Sequence, residues 1–182
     1  MFYLLVIAAL FFSLVAQHFL GAVPPWGGRV FLMPLVFLYG ALSFSTGGML
    51  FLAFLAGVSW DLLHVHWVEE TLELGVGWSS LVYAVLGVLM SGLRPLFLRG
   101  RWEVHCLFSG LSTSVLVLLE YLMLSLRREP LRFEFPPEVW GRIFGAGFVA
   151  LALSPLVFMV LGYFARLLKH QHHRPEKEEE AL

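Results

Sequence analysis

The sequence predicts an all-α integral membrane protein, a bundle of about six transmembrane helices over residues 1–168. Of 182 residues, 59% are hydrophobic and 14% are charged, and the mean hydropathy of +0.80 is far above that of soluble domains. Apolar runs approaching the roughly 20 residues that a bilayer core requires recur along the chain. The net charge of −1 indicates no nucleic-acid-binding surface. Residues 169–182 are mostly charged and are predicted to form a disordered cytoplasmic tail.

Six apolar runs, separated by turn residues or charges, are the predicted helices. The first lacks a basic n-region and a small-residue cleavage site, which favours a helix over a removable signal peptide. The second and third are shorter than a full span. Arg94-Pro95 ends the fourth, because proline lacks a backbone donor and disfavours helix in the residue before it. The runs cover residues 2–20, 30–44, 48–64, 78–93, 103–126 and 140–168.

The distribution of lysine and arginine predicts that both termini are cytoplasmic. If all six runs cross the membrane, the inner segments carry seven basic residues and the outer segments five, and the cytoplasmic side is normally the richer one. The pair Arg127-Arg128 lies outside in this arrangement, against the rule, so five crossings stay an alternative. The inner residues are Arg94, Arg99, Arg101, Arg166, Lys169, Arg174 and Lys177, and the outer ones are Arg29, Arg127, Arg128, Arg132 and Arg142.

Two carboxylates lie within apolar runs, Asp61 in the third and Glu120 in the fifth. At helical spacing Gly57, Asp61 and His64 share one face, and Gly87 lies on a similar face of small residues in the fourth helix. In the six-span arrangement both acids lie in the outer leaflet. A charge facing lipid at mid-helix costs about 2.5–3.5 kcal/mol, so both are predicted to face protein. These five residues are the predicted buried polar and packing residues.

Catalysis is the alternative interpretation of the two acids. Two carboxylates that share a proton would suit an intramembrane aspartyl protease, but one member is Glu120, and the sequences flanking such proteases are missing. His64 and His66 are too close on a helix to face one metal ion, and no second cluster supplies further ligands. The sequence has no P-loop, nucleophile elbow or dinucleotide fingerprint. We therefore predict no enzyme, no catalytic residue, no metal and no cofactor.

The loop before the sixth helix alternates apolar and charged residues, with Leu131, Phe133 and Phe135 as its apolar members. A period of two is typical of a strand, here one that lies at the membrane interface or pairs with a partner. The alternative is a surface loop with snorkelling side chains. These three residues are the predicted partner-binding residues.

A continuous part of the chain resembles a known family. Gly57-Val-Ser-Trp-Asp-Leu-Leu63, the loop glycines 75 and 77, Leu81-Val-Tyr-Ala-Val-Leu-Gly87 and the basic turn of residues 94–101 resemble the bacterial rod shape-determining protein MreD. The likeness covers residues 30–101 by pattern, and the remaining chain only by length and segment count. The acidic residues 69–73 depart from it, since the family has a shorter glycine-containing turn there.

The resemblance implies a non-enzymatic inner-membrane scaffold of the cell elongation (rod) complex, which helps to maintain cell shape and lateral peptidoglycan synthesis. The implied partners are an MreC-like single-span protein, the MreB filament, and a RodA-type polymerase with its transpeptidase. The family is also similar in fold to the substrate-binding subunits of energy-coupling-factor vitamin transporters. A small-molecule binder is therefore the rival function, with Asp61, His64, Glu120 and Tyr121 able to line a small pocket.

Overall fold

The computed structural model describes residues 2–20, 22–23, 28–63, 66–68, 71–73, 77–98, 101–128 and 136–168. These residues form seven helices and two short antiparallel hairpins. The helices are α1 (Phe2–Phe19), α2 (Met33–Ser43), α3 (Thr46–Leu63), α4 (Trp78–Gly92), α5 (Arg94–Leu98), α6 (Trp102–Arg128) and α7 (Pro137–Leu167). The hairpins pair β1 (Ala22–Val23) with β2 (Gly28–Arg29) and β3 (His66–Val68) with β4 (Thr71–Glu73).

The helical architecture predicted from the sequence is confirmed in the described residues. Each predicted run overlaps one of the six longer helices, and the ends of run and helix differ by a few residues. The short helix α5 is an addition. Pro95 ends α4 as predicted but also lies in the first turn of α5. N–H groups in a first turn have no intrahelical acceptor, so the N–H that proline lacks removes no helical hydrogen bond there.

Three helices are long and apolar enough to cross a bilayer, namely α1, α6 over Trp102–Met123, and α7. The other apolar helices, α2, α3 and α4, are shorter. At 1.5 Å per residue, the 11 residues of α2 extend about 16 Å, roughly half of a bilayer core. The described residues therefore include three helices of spanning length, and six crossings stay a prediction.

The short helix α2 is the centre of the bundle. It contacts α1, α3, α4, α6 and α7, and all its residues are buried. Around it, α1 contacts α3, α3 contacts α4, α4 contacts α6, α6 contacts α7, and α7 contacts α1. These five helices form a closed ring. The sequence of α2, Met-Pro-Leu-Val-Phe-Leu-Tyr-Gly-Ala-Leu-Ser, is apolar on every side, as a helix enclosed by others must be.

Side chains of neighbouring helices bond to both ends of α2. At its start, the Met33 N–H donates to Gln17 Oε1 of α1 at 3.3 Å. At its end, Arg94 Nη2 donates to the carbonyl oxygens of Ala41 at 3.0 Å and Phe44 at 2.6 Å. Helix ends leave backbone groups without intrahelical partners, which is costly in apolar surroundings. Gln17 and Arg94 therefore allow a short helix to end inside the bundle.

The helix ends gather at two opposite ends of the bundle. The Tyr3 ring of α1 stacks on the Phe44 ring at 4.0 Å between centroids, and Arg94 bonds to the Phe44 carbonyl. The start of α1, the end of α2 and the α4–α5 junction thus share one end, which we call the Arg94 end. At the other end Asp61 bonds to Gly77 and joins α3 to α4. We call this the Asp61 end.

Helices α6 and α7 cross at very short range. A Cβ added to Gly110 would lie 2.9 Å from the Gly147 carbonyl oxygen, and one added to Gly147 would lie 3.0 Å from the Gly110 carbonyl oxygen. The Ser114 hydroxyl donates to the Ile143 carbonyl oxygen at 3.1 Å across the same interface. Glycine lets the two backbones touch, which is how helices gain packing energy within lipid.

Helix α7 continues through Pro155. Proline has no N–H for the carbonyl four residues earlier, which here belongs to Leu151. The buried Ser154 hydroxyl donates to that Leu151 carbonyl oxygen at 3.0 Å. The hydroxyl thus replaces the donor that proline removes, and the helix remains intact in apolar surroundings.

Candidate functional site

Helices α3 and α4 meet backbone to backbone at Gly57, a predicted packing residue. A Cβ added there would come closer than 3.0 Å to the backbone nitrogen and Cα of Ser80 and to its hydroxyl oxygen. The Ser80 hydroxyl donates to the Phe54 carbonyl oxygen at 3.4 Å. Any side chain at residue 57 therefore requires the two helices to separate.

Asp61 lies one turn after Gly57 and bonds to the start of α4. Its Oδ2 accepts a hydrogen bond from the Gly77 N–H at 2.7 Å. Gly77 directly precedes α4 with a φ of 103°, in the left-handed region that favours glycine. N–H groups at a helix start lack intrahelical acceptors, and the helix dipole favours negative charge there. The carboxylate thus joins the end of α3 to the start of α4.

Gly87, on α4, faces the centre of the bundle. A Cβ added there would lie 2.5 Å from Met49 Sδ of α3 and 3.0 Å from Phe37 Cζ of α2. The close contacts at Gly87 are therefore with side chains, whereas those at Gly57 include backbone. Because Gly87 meets the first turn of α3 while Ser80 meets Gly57, α3 and α4 run antiparallel along their length.

The Tyr83 hydroxyl of α4 is a further polar group inside the bundle. Tyr83 is fully buried, and its hydroxyl makes no hydrogen bond to any described residue. Asp61 and Glu120 are partly buried. Tyr83 is not among the site residues predicted from the sequence. Its only signal is its position four residues before Gly87, on the face that packs inward.

Several predicted site residues lie outside the described part of the chain, namely His64, Leu131, Phe133 and Phe135, and so does the tail of residues 169–182. The partner-binding loop therefore stays a prediction. His66 lies in β3, opposite Glu73, and not on a helix, so the helical-spacing argument against a His64–His66 metal pair does not apply. Among the described residues, no group of three or more His, Cys, Asp or Glu side chains is placed to hold a metal ion.

Two further polar residues, Arg94 and His105, are not among the site residues predicted from the sequence. Burial lowers the pKa of Arg94, because desolvation penalises the charged form, but a guanidinium stays protonated at neutral pH. His105 is fully buried, with Nδ1 3.2 Å from the Arg101 carbonyl oxygen and Nε2 3.2 Å from the Leu93 carbonyl oxygen. It joins α6 to both flanks of α5. No sequence signal distinguishes it from other residues of its apolar run.

The exposed faces of the helices identify their surroundings. Mid-helix side chains on these faces are apolar, as at Phe12, Phe54, Leu107 and Met159. Tryptophan and tyrosine concentrate at the two water interfaces of membrane proteins. Among the described residues, the exposed tryptophan and tyrosine side chains all lie within two turns of a helix end. They are Tyr3, Trp78, Trp102, Trp140 and Tyr163.

The apolar outer faces, the aromatic residues near helix ends and three helices of spanning length define a helical membrane protein. Its candidate functional region is the Asp61 end, where the Asp61 carboxylate joins the end of α3 to the start of α4. No protein-family model matches the chain, and no curated protein or solved structure matches it either.

Proposed function

We propose that this protein is a non-enzymatic scaffold of the bacterial inner membrane, similar to MreD, which binds an MreC-like single-span partner in the rod complex. The residues that carry the resemblance include Gly57, Asp61 and Gly87. In the structure these same residues fix how α3 packs against α4. The likeness therefore concerns residues with a defined structural role, which supports the proposal.

One observation carries the proposal. Polar side chains of the bundle bond to this chain's own backbone, as seen for Asp61, Arg94 and His105. The Ser109 hydroxyl likewise donates to the His105 carbonyl oxygen at 2.8 Å, and the Thr113 hydroxyl to the Ser109 carbonyl oxygen at 2.9 Å. A catalytic centre needs polar groups directed at a substrate, whereas satisfied networks rigidify a protein. This arrangement favours a rigid scaffold over an intramembrane protease.

The proposal includes six crossings with both termini in the cytoplasm. The start of α1 and the α4–α5 junction lie at the same end of the bundle, the Arg94 end. This agrees with the six-span topology, in which both are cytoplasmic. A reporter that is active only outside the cytoplasm should be silent when fused after Leu182 and active when inserted between residues 69 and 70. A strong signal after Leu182 would contradict the six-span topology.

Partner recognition is proposed to use lipid-facing helix surfaces and the two larger outer loops, residues 65–77 and 127–139. Within lipid, helices associate by close van der Waals packing, since the hydrophobic effect provides no drive. Outside lipid, aromatic residues near arginine are the types that concentrate binding energy at interfaces. Phe133 and Phe135, which flank acidic Glu134 and follow Arg132, have this character.

The test is co-purification in detergent with an MreC-like single-span protein. Phe133→Ala combined with Phe135→Ala should weaken that association by about tenfold or more, as loss of interface aromatics does. The matched control is His172→Ala combined with His173→Ala, which removes two rings from the tail predicted to lie in the cytoplasm and should leave the association unchanged. No co-purification, or equal association of both double variants, would refute the proposal.

A substrate-binding subunit of a vitamin-type transporter is the second candidate. The observation in its favour is the buried Tyr83 hydroxyl, which makes no hydrogen bond to any described residue. Calorimetry with a panel of water-soluble vitamins would decide between the two functions. Tight binding of one vitamin, without association to the single-span protein, would replace the scaffold proposal.

A further inference from the structure

The helices that surround α2 differ in length, and the two short ones α3 and α4 lie side by side. Helix α3 has 18 residues and α4 has 15, whereas α6 has 27 and α7 has 31. At 1.5 Å per residue these lengths are about 27, 22, 40 and 46 Å. In the ring around α2, α3 contacts α4, while the ring neighbours of α7 are α1 and α6. The short pair and the long helix α7 therefore lie on opposite sides of the bundle.

The short pair and α7 run between the same two ends of the bundle. Helix α3 leads to the Asp61 end, and α4 returns from it to the Arg94 end. Helix α6 follows α5 at the Arg94 end. It is antiparallel to α7, since Gly110 meets Gly147 while the later Ser114 bonds to the earlier Ile143. Helix α7 therefore crosses the same apolar layer as the short pair.

The apolar surface on the α3–α4 side is shorter than a bilayer core. From the exposed Thr46 to its end at Leu63, α3 extends about 26 Å, and the whole of α4 extends about 22 Å. A bilayer core is about 30 Å thick, so this side is about 4–8 Å too short. On α7 the exposed Arg142 and Arg166 are about 36 Å apart, a length that tilting accommodates.

The outer face of the short pair has the character of a lipid contact. Its exposed side chains are large and apolar, and they are Leu50, Phe51, Phe54 and Leu62 of α3 and Leu81, Val85, Val88 and Leu89 of α4. Helices that dock on one another within lipid use small residues. The glycines in the middle of this pair, Gly57 and Gly87, are already in contact with Ser80, Met49 and Phe37 inside the bundle. The composition of this face therefore favours acyl chains over another helix as its occupant.

We infer that the α3–α4 side is a binding surface for phospholipids with short acyl chains, around which the bilayer is thinner than elsewhere. A hydrophobic surface shorter than the bilayer core is accommodated by thinning of the surrounding lipid, and each ångström of mismatch has a cost. Short chains reduce that cost on the α3–α4 side but not on the α7 side. The inference rests on the membrane character of the chain and does not depend on the scaffold function.

The test places one fluorophore on either side of the full-length protein. In a Cys106→Ala background, Phe54→Cys labels α3 and Phe148→Cys labels α7 with nitrobenzoxadiazole. The two positions are matched, since the native rings are 58% and 60% exposed. The protein is reconstituted in vesicles of dioleoylphosphatidylcholine that contain a nitroxide-labelled phosphatidylcholine, which quenches the fluorophore when it lies beside it.

Replacing the dioleoyl lipid shows which chain length each side prefers. Short-chain dimyristoleoylphosphatidylcholine should displace the nitroxide lipid from Phe54→Cys about threefold more effectively than long-chain dierucoylphosphatidylcholine. At Phe148→Cys the short-chain lipid should have no such advantage. The same chain-length preference at both positions, or no preference at Phe54→Cys, would overturn the inference.

A second pair of variants tests whether helix length sets the preference. Thr46→Leu with Gly47→Leu extends the apolar surface of α3 by about 3 Å at two exposed positions, and a Cβ at Gly47 meets nothing within 4 Å. The preference for the short-chain lipid at Phe54→Cys should then fall to less than about twofold. Thr46→Ser with Gly47→Ala is the control and should keep it. Equal preferences in the two double variants would refute the role of helix length.

The same measurement detects a protein occupant of this surface. If a second copy of the chain covers α3 and α4, the nitroxide lipid quenches Phe148→Cys but not Phe54→Cys, and the inference is wrong. Because the vesicles contain this chain and lipid alone, the outcome is independent of the single-span partner. Failure of the co-purification experiment would therefore leave the inference unaffected, and failure of the lipid experiment would leave the scaffold proposal unaffected.

Discussion

Replacing Gly57 with alanine should be among the most damaging small substitutions in this protein. The new Cβ would come closer than 3.0 Å to the Ser80 backbone. Ordinary carbon contacts lie at about 3.5–4.0 Å, so α3 and α4 must separate by on the order of 1 Å. Backbone atoms cannot rotate away as a flexible side chain can, so only a movement of the helices relieves the contact.

Two costs follow from this separation. Overpacking of a well-packed interface typically costs about 1–3 kcal/mol. The Asp61 bond to Gly77 is 2.7 Å long, and an increase of about 1 Å takes it beyond hydrogen-bonding distance. A hydrogen bond to a charged group contributes about 1.5–3 kcal/mol. Gly57→Ala should therefore lower the free energy of unfolding by about 2.5–6 kcal/mol.

Unfolding in mixed micelles with increasing sodium dodecyl sulfate, followed by tryptophan fluorescence, measures this loss. Gly47→Ala is the matched control, since it makes the same change in the same helix at a position where an added Cβ meets nothing within 4 Å. It should be neutral or slightly stabilising, because alanine favours helix over glycine. If the two variants differ by less than about 0.5 kcal/mol, the close packing inferred at Gly57 is wrong.

Three further predictions concern hydrogen bonds to the backbone. Arg94→Ala removes both hydrogen bonds that Nη2 donates to the end of α2 and should cost about 2–4 kcal/mol in the same assay. Arg94→Lys should cost less because it keeps a charged donor. Ser154→Ala should cost about 1–2 kcal/mol in the wild-type background. In a Pro155→Ala background it should cost nothing, because the new N–H at residue 155 donates to the Leu151 carbonyl oxygen in place of the hydroxyl. Equal costs in both backgrounds would contradict this account. Asp61→Asn should keep an acceptor for the Gly77 N–H and assemble normally, while Asp61→Leu should not; a leucine variant that elutes as wild type in size-exclusion chromatography would refute that role.

The long helices are predictable because apolar runs bounded by charges or prolines leave few alternatives. The central position of α2 is not predictable in the same way. A helix that is apolar on every side is expected both when lipid surrounds it and when protein surrounds it. Composition cannot distinguish the two cases, and only the contacts with five other helices do. The hairpins are missed because strands of two or three residues are too short to show alternation.

The candidate site is likewise predictable from the sequence only in part. Helical spacing places Gly57 and Asp61 on one face, but their partners Ser80 and Gly77 depend on the rotation and offset of α4, which the sequence does not encode locally. Tyr83 looks like an ordinary core residue in its helix, and only the structure shows that its hydroxyl is buried without a hydrogen bond to a described residue. Arg94 illustrates the reverse case, since a charge that indicates orientation also bonds to a helix end.

The closed ring around α2 has a consequence for biosynthesis. Because α1 lies beside α7, these two helices must meet before α2 is fully enclosed, although α1 is synthesised well before α7. A helix about 16 Å long cannot span the bilayer core alone, and its Arg94 donor is made only after α4. Until then α2 depends on α1 and α3 to remain in the membrane. Enclosure of α2 therefore waits for α7, and a chain that stops before α7 leaves α2 open to lipid on that side.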